Sequence, residues 1–321
     1  MRIVFHGENA ASFSDGFASL VPPGSEIAIL PDSLTSDADR ATYAAADAII
    51  GVGFNASMPR PENLRLFHVP GAGYDAVDLA ALPPSAAVCN VFGHQDSIAE
   101  YVMAALLARA IPFTDADRRL RQGDWTYWAG APERVHGEIS GTSIGLLGYG
   151  HIGKAIATRA RAFNMRVTVA NRSPVNDPLV AQSFPLTDLA SFWASADAFV
   201  VSLPLTGSTA GLVNSAAFAA MPPHAVIINV GRGPVIDETA LYDALSSNRI
   251  AGAIIDTWYQ YPSAATPNPL PSSKPFHTLP NIVMTPHMSG WTSGTITRRQ
   301  ALIAANIRAC AEGTPYQNRV R

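Results

Sequence analysis

The sequence has few cysteines, few charged residues and no long apolar run, and each shortage excludes a class of protein. Its two cysteines, Cys89 and Cys310, supply neither a disulfide framework nor a metal-ligand spacing. No apolar stretch reaches the roughly 18 residues of a membrane helix, and the opening residues, MRIVFHGENA, contain too short an apolar run for a signal peptide. We therefore predict a reduced, cytoplasmic protein without a membrane partner.

Basic residues do not outnumber acidic residues in this chain. Lys and Arg total 22 against 25 Asp and Glu, a net charge of -3, whereas nucleic-acid-binding modules are usually basic. The hydrophobic content of 48% is too high for a disordered chain, and eight scattered histidines predict no metal site. Because one domain has about 100 to 200 residues, the 321 residues predict two folded domains and no nucleic-acid partner.

Short apolar runs alternate with helical segments along most of the chain. This alternation is typical of parallel sheets that are covered by helices on both faces. It predicts strands at residues 2–6, 26–30, 48–52, 64–69 and 87–91, and in a second block at 143–147, 166–171, 198–203, 225–230, 250–256 and 282–285. We predict an α/β fold of two Rossmann-like, doubly wound parallel-sheet domains.

Two helical segments connect the blocks. Residues 97–111 carry apolar side chains at helical spacing between the blocks, and residues 292–311 follow the last strand of the second block. Because no further strand follows, the last helix is expected to return to the first block. We predict a substrate-binding domain of residues 1–96 plus 292–321, a dinucleotide-binding domain of residues 97–291, and an active-site cleft between them.

A glycine-rich turn follows the first strand of the second block. Gly148, Gly150 and Gly153 stand in the sequence GYGHIG, between an apolar strand and the helical segment 152–163. Glycines there allow a tight turn and a close approach of the backbone to a pyrophosphate, which the positive end of the helix attracts. The motif alone is weak, but in this strand-turn-helix context it predicts a nicotinamide dinucleotide site.

The end of the next strand indicates which nicotinamide cofactor is preferred. An NAD-selective site presents an acidic residue about 20 positions after the turn, whereas this chain has Asn171, Arg172 and Ser173 there. A guanidinium can bind a 2′-phosphate and a carboxylate would repel it. We predict that NADPH is preferred and that NAD is possible. A second interpretation places Arg172 against the adenine or in solvent.

Arg232 and His287 stand at predicted strand ends, where parallel sheets bind ligands. Arg232 lies between Gly231 and Gly233, and its planar donor fork suits the carboxylate of an organic acid. His287 ends the last strand and can exchange a proton near neutral pH. A strand-end histidine alone is more often structural. Beside Arg232 and a nicotinamide site, it fits the proton donor that carbonyl reduction requires.

With these motifs, the chain resembles the D-isomer-specific 2-hydroxyacid dehydrogenase family over nearly its full length. The segments that carry the resemblance, besides the glycine turn, are PGAGYD at 70–75, SIAE at 97–100, LPLT at 203–206, NVGRG at 229–233 and TPH at 285–287. The resemblance implies that Arg232 binds the substrate carboxylate and polarises the carbonyl, with His287 as acid and base. It also implies that the backbone amides of Ala72 and Gly73 hold the carboxylate.

Further contacts follow from the same resemblance. Gly53 would lie in a substrate-side loop of residues 51–55, and segment 122–128 with helix 97–111 would form a homodimer contact. The predicted cofactor contacts are Ile98, Gly148, Gly150, His151, Ile152, Gly153, Asn171, Arg172, Ser173, Leu203, Pro204, Thr209, Val230, Gly231, Asp256 and Gly290. Two predicted substrate contacts have alternatives. His94 could instead cap the following helix, and Trp291 could instead anchor the C-terminal helix.

The chain departs from the family at the partner of the catalytic histidine. The family has a Glu 29 positions after the arginine, and here that position is Tyr261, at the start of the irregular connection 261–280. A phenol can hold an imidazole but offers it no charge. We therefore predict that reduction fails at lower pH than in relatives with Glu. If the irregular connection shifts the alignment, Gln260 takes this role instead.

The leading functional prediction is NADPH-dependent reduction of a small 2-keto acid, of the glyoxylate or hydroxypyruvate type. Few charges are available for a phosphorylated substrate, although Arg298, Arg299 and Lys274 leave that substrate class open. The missing Glu leaves two alternatives: a formate-type dehydrogenase, in which Gln replaces the Glu, and a nicotinamide-responsive regulatory protein without turnover. Retention of both Arg232 and His287 argues against the regulatory protein, because a sensor needs no proton donor.

Overall fold

The computed structural model describes residues 1–130, 132–263 and 265–321. The chain forms two compact units. The first unit contains Met1–Gly93 and Trp291–Arg321, and the second unit contains His94–Gly290. The predicted domain limits differ from these limits by three residues at the first crossing and by one at the second. The assignment of substrate to the first unit and cofactor to the second stays a prediction.

The first unit is built on a five-stranded parallel sheet in the order β2-β1-β3-β4-β5. Its strands are β1 Arg2–His6, β2 Glu26–Leu30, β3 Ala48–Gly51, β4 Leu66–His68 and β5 Ala87–Cys89. Around the sheet lie α1 Glu8–Ala11, α2 Asp37–Ala44, a 3₁₀ turn Phe17–Leu20 and the C-terminal helix Ser293–Glu312. The C-terminal helix buries Ile303, Ile307 and Cys310 in one core with β1, β3 and β4, so it packs on the first sheet as predicted.

A buried polar network joins the C-terminal helix to β4. The Asn306 amide donates to His68 Nε2 at 3.0 Å and to the Gln317 carbonyl at 3.0 Å, while Asn306 Oδ1 accepts from the Gln317 N–H at 2.8 Å. Burial lowers the pKa of His68 to about 4, so its ring is neutral and can accept at Nε2 while Nδ1 donates to the Val69 carbonyl. The network fixes the rotation of the helix against the sheet.

The second unit is built on a seven-stranded parallel sheet in the order β12-β11-β10-β9-β6-β7-β8. Its strands are β6 Ser143–Leu147, β7 Arg166–Asn171, β8 Gln182–Pro185, β9 Ala198–Val201, β10 Val226–Asn229, β11 Gly252–Ile255 and β12 Ile282–Met284. The four central strands β6, β9, β10 and β11 are largely apolar and almost entirely buried. Such runs are typical of parallel sheets covered on both faces.

Helices cover both faces of this sheet, as separate apolar cores on its two sides show. The helices of this unit are α3 Gln95–Ala110, α4 Phe113–Leu120, α5 His151–Ala162, α6 Leu189–Trp193, α7 Ser215–Ala220 and α8 Glu238–Ser246, with 3₁₀ turns at Pro132–Arg134, Gly233–Val235 and Phe276–Thr278. None of the described residues of helix α4 is buried. Within the described residues, no single helix has the length and apolarity to span a membrane. One pair bent by 50°, α3 with α4, passes that test jointly on length and composition alone.

The prediction of two doubly wound α/β domains is confirmed, with corrections at the element level. The predicted strand 64–69 is paired only over Leu66–His68, and the predicted strand 198–203 ends at Val201. The sequence patterns did not predict strand β8. It has one buried side chain, Phe184, and lies at the edge of the sheet, so it lacks the apolar run that marked the other strands.

Candidate active site

Arg232 follows β10 in a segment where the backbone is tightly packed. A Cβ on Gly231 would lie 2.7 Å from the Leu203 carbonyl oxygen, and a Cβ on Gly233 would overlap the Trp258 carbonyl. The Asn229 side chain closes this turn, accepting from the Gly231 N–H at 3.1 Å and donating to the Arg232 carbonyl at 3.0 Å. The flanking glycines therefore allow a close approach of backbone segments, and this packing fixes the backbone position of Arg232.

His287 follows β12 in a conformation that is rare for a residue with a side chain. Its φ is 57°, in the left-handed region, which costs about 1 kcal/mol or more for a residue other than glycine. Its backbone N–H donates to the carbonyl oxygens of Asp256 at 2.8 Å and Thr285 at 3.1 Å. The surrounding hydrogen bonds hold this strained turn, and its imidazole stands exposed at the end of the strand.

The Asp256 carboxylate organises the same turn from the neighbouring strand end. Asp256 follows β11 and is fully buried. Its Oδ1 accepts from the Thr285 hydroxyl at 2.5 Å and from the Met288 N–H at 2.9 Å, and its Oδ2 accepts from the Ser289 N–H at 3.0 Å. Thr285 also contacts the Tyr101 hydroxyl at 2.7 Å. Asp256 is thus an anchor of the His287 turn, and its predicted cofactor contact stays a prediction.

Tyr261 contacts the imidazole of His287. The Tyr261 hydroxyl lies 3.0 Å from His287 Nδ1, and the two ring centroids are 5.6 Å apart. The backbone N–H of Trp258 donates to the same phenolic oxygen at 3.1 Å. The backbone N–H of Gln260, the alternative partner, donates to the Pro271 carbonyl at 3.0 Å. The residue 29 positions after Arg232 thus occupies the position expected for the partner of the histidine.

The electrostatics of Tyr261 keep its phenol neutral. Burial raises the pKa of Tyr261 above its ordinary value, and this effect outweighs the Trp258 hydrogen bond and the charge of Arg232, which both lower it. The Arg232 charge acts on this phenol because the strand ends after β10, β11 and β12 are neighbours in the sheet. Arg232, Tyr261 and His287 are therefore gathered at one edge of the second unit.

The glycine turn has the geometry that a pyrophosphate site requires. Gly148 has a φ of 102°, and a Cβ on Gly153 would overlap the Gly148 carbonyl, so both positions require glycine. Gly150 faces open space, because a Cβ added there would have nothing within 4 Å. His151 and Ile152 begin α5, so its first backbone N–H groups face the same space. These features fit a dinucleotide at this turn.

The predicted selectivity residues follow β7 beside the glycine turn. The Asn171 side chain accepts from the Tyr149 N–H at 3.3 Å and donates to the Ser173 carbonyl at 3.0 Å, so it links the two segments. Arg172 and Ser173 are exposed. Within the described parts of the chain, the Arg172 guanidinium makes no hydrogen bond or ion pair. Arg172 is therefore available to a phosphate at this strand end.

The segment after β9 connects the glycine turn with the Arg232 turn. Leu203 lies against both turns. Its side chain is 3.0 Å from where a Cβ on Gly148 would lie, and its carbonyl approaches Gly231. Thr209 is buried and folds the segment back, because its hydroxyl donates to the Pro204 carbonyl at 2.7 Å. The predicted cofactor residue Val230 is buried, and its N–H donates to the Val201 carbonyl at 3.1 Å. The structure thus brings most of the predicted cofactor residues together.

Three further predicted site residues meet where the second unit begins and ends. His94 occupies the N-cap position of α3, where its carbonyl accepts from the Ile98 N–H at 3.0 Å. A Cβ on Gly290 would contact His94 at 3.3 Å and Ile98 at 3.4 Å. Among the described residues, the His94 imidazole makes no N-cap hydrogen bond, so the capping alternative applies only to its backbone.

The predicted substrate residues of the first unit lie after β3 and β4. Gly53 stands close to the Ala76 carbonyl, 3.0 Å from a Cβ at that position. The Ala72 carbonyl accepts from the Asn90 amide at 2.7 Å. In the described part of the chain, the N–H groups of Ala72 and Gly73 donate to no acceptor. These two amides are therefore available to an anion, and Asn90 is a supporting residue that the sequence reasoning missed.

Trp291 lies in the first unit and packs on its core. Its ring meets Phe13 edge-on, with the centroids 5.9 Å apart and the planes at 88°. Because Phe13 is fully buried in the core that contains the C-terminal helix, this contact agrees with an anchoring role. Trp291 remains 42% exposed, so its predicted contact with substrate stays a prediction.

The chain is similar to a known protein family and to several curated relatives. Residues 103–289 match the family described as D-isomer specific 2-hydroxyacid dehydrogenase, NAD binding domain. A glyoxylate/hydroxypyruvate reductase B from Citrobacter koseri is 32% identical over 86% of this chain and 85% of its own length. A D-3-phosphoglycerate dehydrogenase from Archaeoglobus fulgidus is 30% identical over 81% of this chain, but the match spans only 47% of that protein.

Solved structures also resemble the whole chain. An NADPH-dependent glyoxylate/hydroxypyruvate reductase from Sinorhizobium meliloti, in complex with NADP and malonate, has a TM-score of 0.78 at 26% identity, over 99% of this chain and 96% of that one. A D-isomer specific 2-hydroxyacid dehydrogenase from Xanthobacter autotrophicus, in complex with NADPH and MES, has a TM-score of 0.77 at 28% identity, over 100% of this chain and 97% of that one.

The substitution Asp256→Asn tests the anchor of the His287 turn. An amide supplies one acceptor oxygen and one NH₂ group, so at least one of the three donors around residue 256 would face another donor. We expect the unfolding free energy to fall by about 2 kcal/mol or more, and hydrogen exchange to accelerate at residues 285–289. Asp243→Asn, an exposed position on α8, is the control. Unchanged exchange at the turn in Asp256→Asn would contradict the anchoring role.

Proposed function

This chain belongs to the D-isomer specific 2-hydroxyacid dehydrogenase family, and on that basis we propose that it reduces a small 2-keto acid of the glyoxylate or hydroxypyruvate type with NADPH. The product is the 2-hydroxy acid. The observation that carries the proposal is the gathering of Arg232, Tyr261 and His287 at neighbouring strand ends of the unit that holds the glycine turn.

Two elements support recognition of the substrate carboxylate. Arg232 offers parallel N–H donors that match a carboxylate in a bidentate arrangement. In the first unit, the amides of Ala72 and Gly73 are available to an anion, and Asn90 fixes their turn through the Ala72 carbonyl. We assign both elements to the carboxylate, with Arg232 also polarising the keto oxygen.

His287 supplies the proton that the keto oxygen receives. Because the Trp258 N–H can only donate, the Tyr261 oxygen accepts there and its own proton can point to His287 Nδ1. In the resting neutral imidazole this arrangement leaves the proton on Nε2. When the ring takes up a second proton, Nδ1 donates to the phenolic oxygen instead, and transfer of the Nε2 proton to the keto oxygen then leaves a neutral ring with its proton on Nδ1. Tyr261 thus orients both protonation states without supplying a charge.

The cofactor residues are those around the glycine turn. Gly148, Gly150 and the start of α5 would hold the pyrophosphate, and NADPH bound there would supply the hydride. The exposed Arg172 supports a preference for NADPH, because a 2′-phosphate would give its guanidinium a partner. The NADPH-bound relative from Xanthobacter autotrophicus supports the same choice. NAD is proposed as a second, weaker cofactor.

An absorbance assay of NADPH oxidation with a panel of 2-keto acids tests the proposed function. We expect turnover with glyoxylate or hydroxypyruvate, and loss of at least about 100-fold in kcat/KM for Arg232→Ala and for His287→Ala. Arg249→Ala, remote on the loop after α8, serves as the control. Reduction of NADP⁺ by formate alone would contradict the proposal in favour of a formate dehydrogenase, and cofactor binding without turnover would indicate a regulatory protein.

Arg172→Ala tests the cofactor preference. Loss of a charge-assisted contact to the 2′-phosphate should raise KM for NADPH about tenfold or more while changing KM for NADH less than about twofold. Arg166→Ala removes an exposed arginine from the opposite end of the same strand and should change neither value. Equal changes for both cofactors would show that Arg172 contacts a group common to NADH and NADPH.

Tyr261 variants test the protonation chemistry through the pH profile of reduction. A Glu at this position would stabilise imidazolium, so Tyr261→Glu should keep reduction active to a pH about 1 unit higher or more. Tyr261→Phe removes one hydrogen bond and should lower kcat about tenfold. An apparent pKa above roughly 7.5 for reduction by the unmodified protein would show that a carboxylate already partners His287.

We also propose a homodimer formed through segment 122–128 with α3. Trp125 and Trp128 pack edge-on at 5.6 Å but remain 58% and 60% exposed, and Phe113 on the adjoining helix is 79% exposed. Tyr127 links the segment to that helix through Asp115 at 3.1 Å. Such a group of exposed aromatic side chains is typical of an interface. A sedimentation mass near one chain, 33.9 kDa, would contradict the dimer.

A further inference from the structure

Arg299 is a buried arginine that has no counterion among the described residues. It lies on the C-terminal helix, and only 9% of the residue is exposed. In residues 1–130, 132–263 and 265–321, its guanidinium makes no ion pair or hydrogen bond, and Nε is fully enclosed without a partner. Burial, together with repulsion from Arg298, lowers the pKa of Arg299 to about 10. The group therefore stays charged at neutral pH.

A buried charge of this kind is costly unless something compensates it. An unpaired buried ion costs several kcal/mol, even after the protein relaxes around it. The half-buried Arg109 has such compensation, because its guanidinium donates to the Ala251 carbonyl at 2.7 Å. Arg299 has no such acceptor in the described residues, so within them its charge is uncompensated.

Arg299 stands beside the chain segment that follows β5. Its Cγ is 3.9 Å from the position of a Cβ on Gly93. The neighbouring Arg298 is exposed, and its Nε donates to the Gly93 carbonyl at 2.8 Å. Asn306, which contacts the end of β4, lies seven residues further along the same helix, about 10 Å in helical rise. Arg299 thus lies beyond the carboxyl ends of β4 and β5.

The same strand ends carry the available amides of the first unit. The segment after β5 supports the turn after β4, since the Val91 N–H donates to the Gly71 carbonyl at 3.0 Å and the Asn90 amide donates to the Ala72 carbonyl at 2.7 Å. Arg299 therefore flanks the segment that holds the Ala72 and Gly73 amides. Two sets of N–H donors, the Ala72 and Gly73 amides and the Arg299 guanidinium, adjoin the same segment.

We propose that Arg299, with Arg298 at its rim, forms an oxyanion subsite for a carboxylate or phosphate group. This inference rests on the proposed function where it assigns that group to the substrate: the keto acid would carry a second anionic group besides the carboxylate at Ala72 and Gly73. A free inorganic anion could supply the same chemistry. The adjacent guanidinium groups suit a carboxylate as well as a phosphate, because a guanidinium can donate two parallel hydrogen bonds to the oxygens of either group.

Kinetics with the full-length protein test the substrate source. The variants are Arg299→Met, which keeps an unbranched side chain without charge, and Arg299→Lys, which keeps the charge. Arg308→Met, an exposed arginine on the same helix, is the control for the loss of one positive charge. For Arg299→Met, we expect kcat/KM for oxaloacetate relative to glyoxylate to fall about tenfold or more. Arg299→Lys should fall between Arg299→Met and the unmodified protein.

Thermal unfolding with inorganic phosphate tests the free-anion source and needs no turnover. Phosphate at a concentration of about 100 times its Kd should raise Tm of the unmodified protein and of Arg308→Met by about 2 °C or more. It should raise Tm of Arg299→Met by less, because that variant keeps only the other anion-binding elements proposed above. A changed substrate ratio supports the substrate source, and a reduced phosphate effect alone supports the free anion. An Arg299→Met protein with an unchanged ratio and an unchanged phosphate effect would overturn the subsite. If no keto acid is reduced, the proposed function fails and the phosphate experiment alone decides.

Discussion

The proposed chemistry depends on the hydrogen bonds that the buried Asp256 carboxylate accepts. The carboxylate accepts hydrogen bonds from Thr285, Met288 and Ser289, and these bonds surround a histidine held at positive φ. A strained conformation persists only where its neighbours determine it strongly. Asp256 follows β11 and His287 follows the neighbouring strand β12. The hydrogen bonds of the carboxylate therefore fix the His287 turn relative to the end of β11.

The parallel sheet explains why residues far apart in the sequence come together. In such a sheet the carboxyl ends of all strands meet at one edge, and each loop can place one functional group there. The second unit uses successive strand ends for the glycine turn, the Leu203 segment, Arg232 and His287. In the first unit the Ala72 and Gly73 amides follow β4, and Arg299 comes from the C-terminal helix beside the segment that follows β5. In the proposed function, each unit presents its own elements for binding anions.

Much of the fold and site could be predicted because the signals are local. Strand cores such as β6 and β10 are continuous apolar runs, and the glycine turn, Arg232 and His287 belong to short motifs. Tyr261 could be located by counting from Arg232, and its contact with the imidazole agrees with that count. The family membership follows from the same motifs and is shown by the comparisons.

Other features depend on tertiary contacts that no local pattern reveals. The edge strand β8 has a single buried residue, so it lacks a strand signal. The anchoring role of Asp256 was not predicted, because its three donors come from a segment about 30 residues later in the chain. Asn90 supports a turn that precedes it by 18 positions. Among the residues that the structure describes, Arg299 has no partner, and this could not be predicted from the sequence because it depends on tertiary burial.

The chemistry proposed for this site requires that His287 donates from Nε2 while the Tyr261 phenol holds Nδ1. ¹⁵N NMR of histidine-labelled protein, with the signal assigned through His287→Gln, measures this directly. In the neutral and in the protonated ring, we expect the Nδ1 signal to shift in Tyr261→Phe and the Nε2 signal to shift less. An Nδ1 signal unaffected by Tyr261→Phe, or an Nε2 signal that shifts more than Nδ1, would contradict this arrangement.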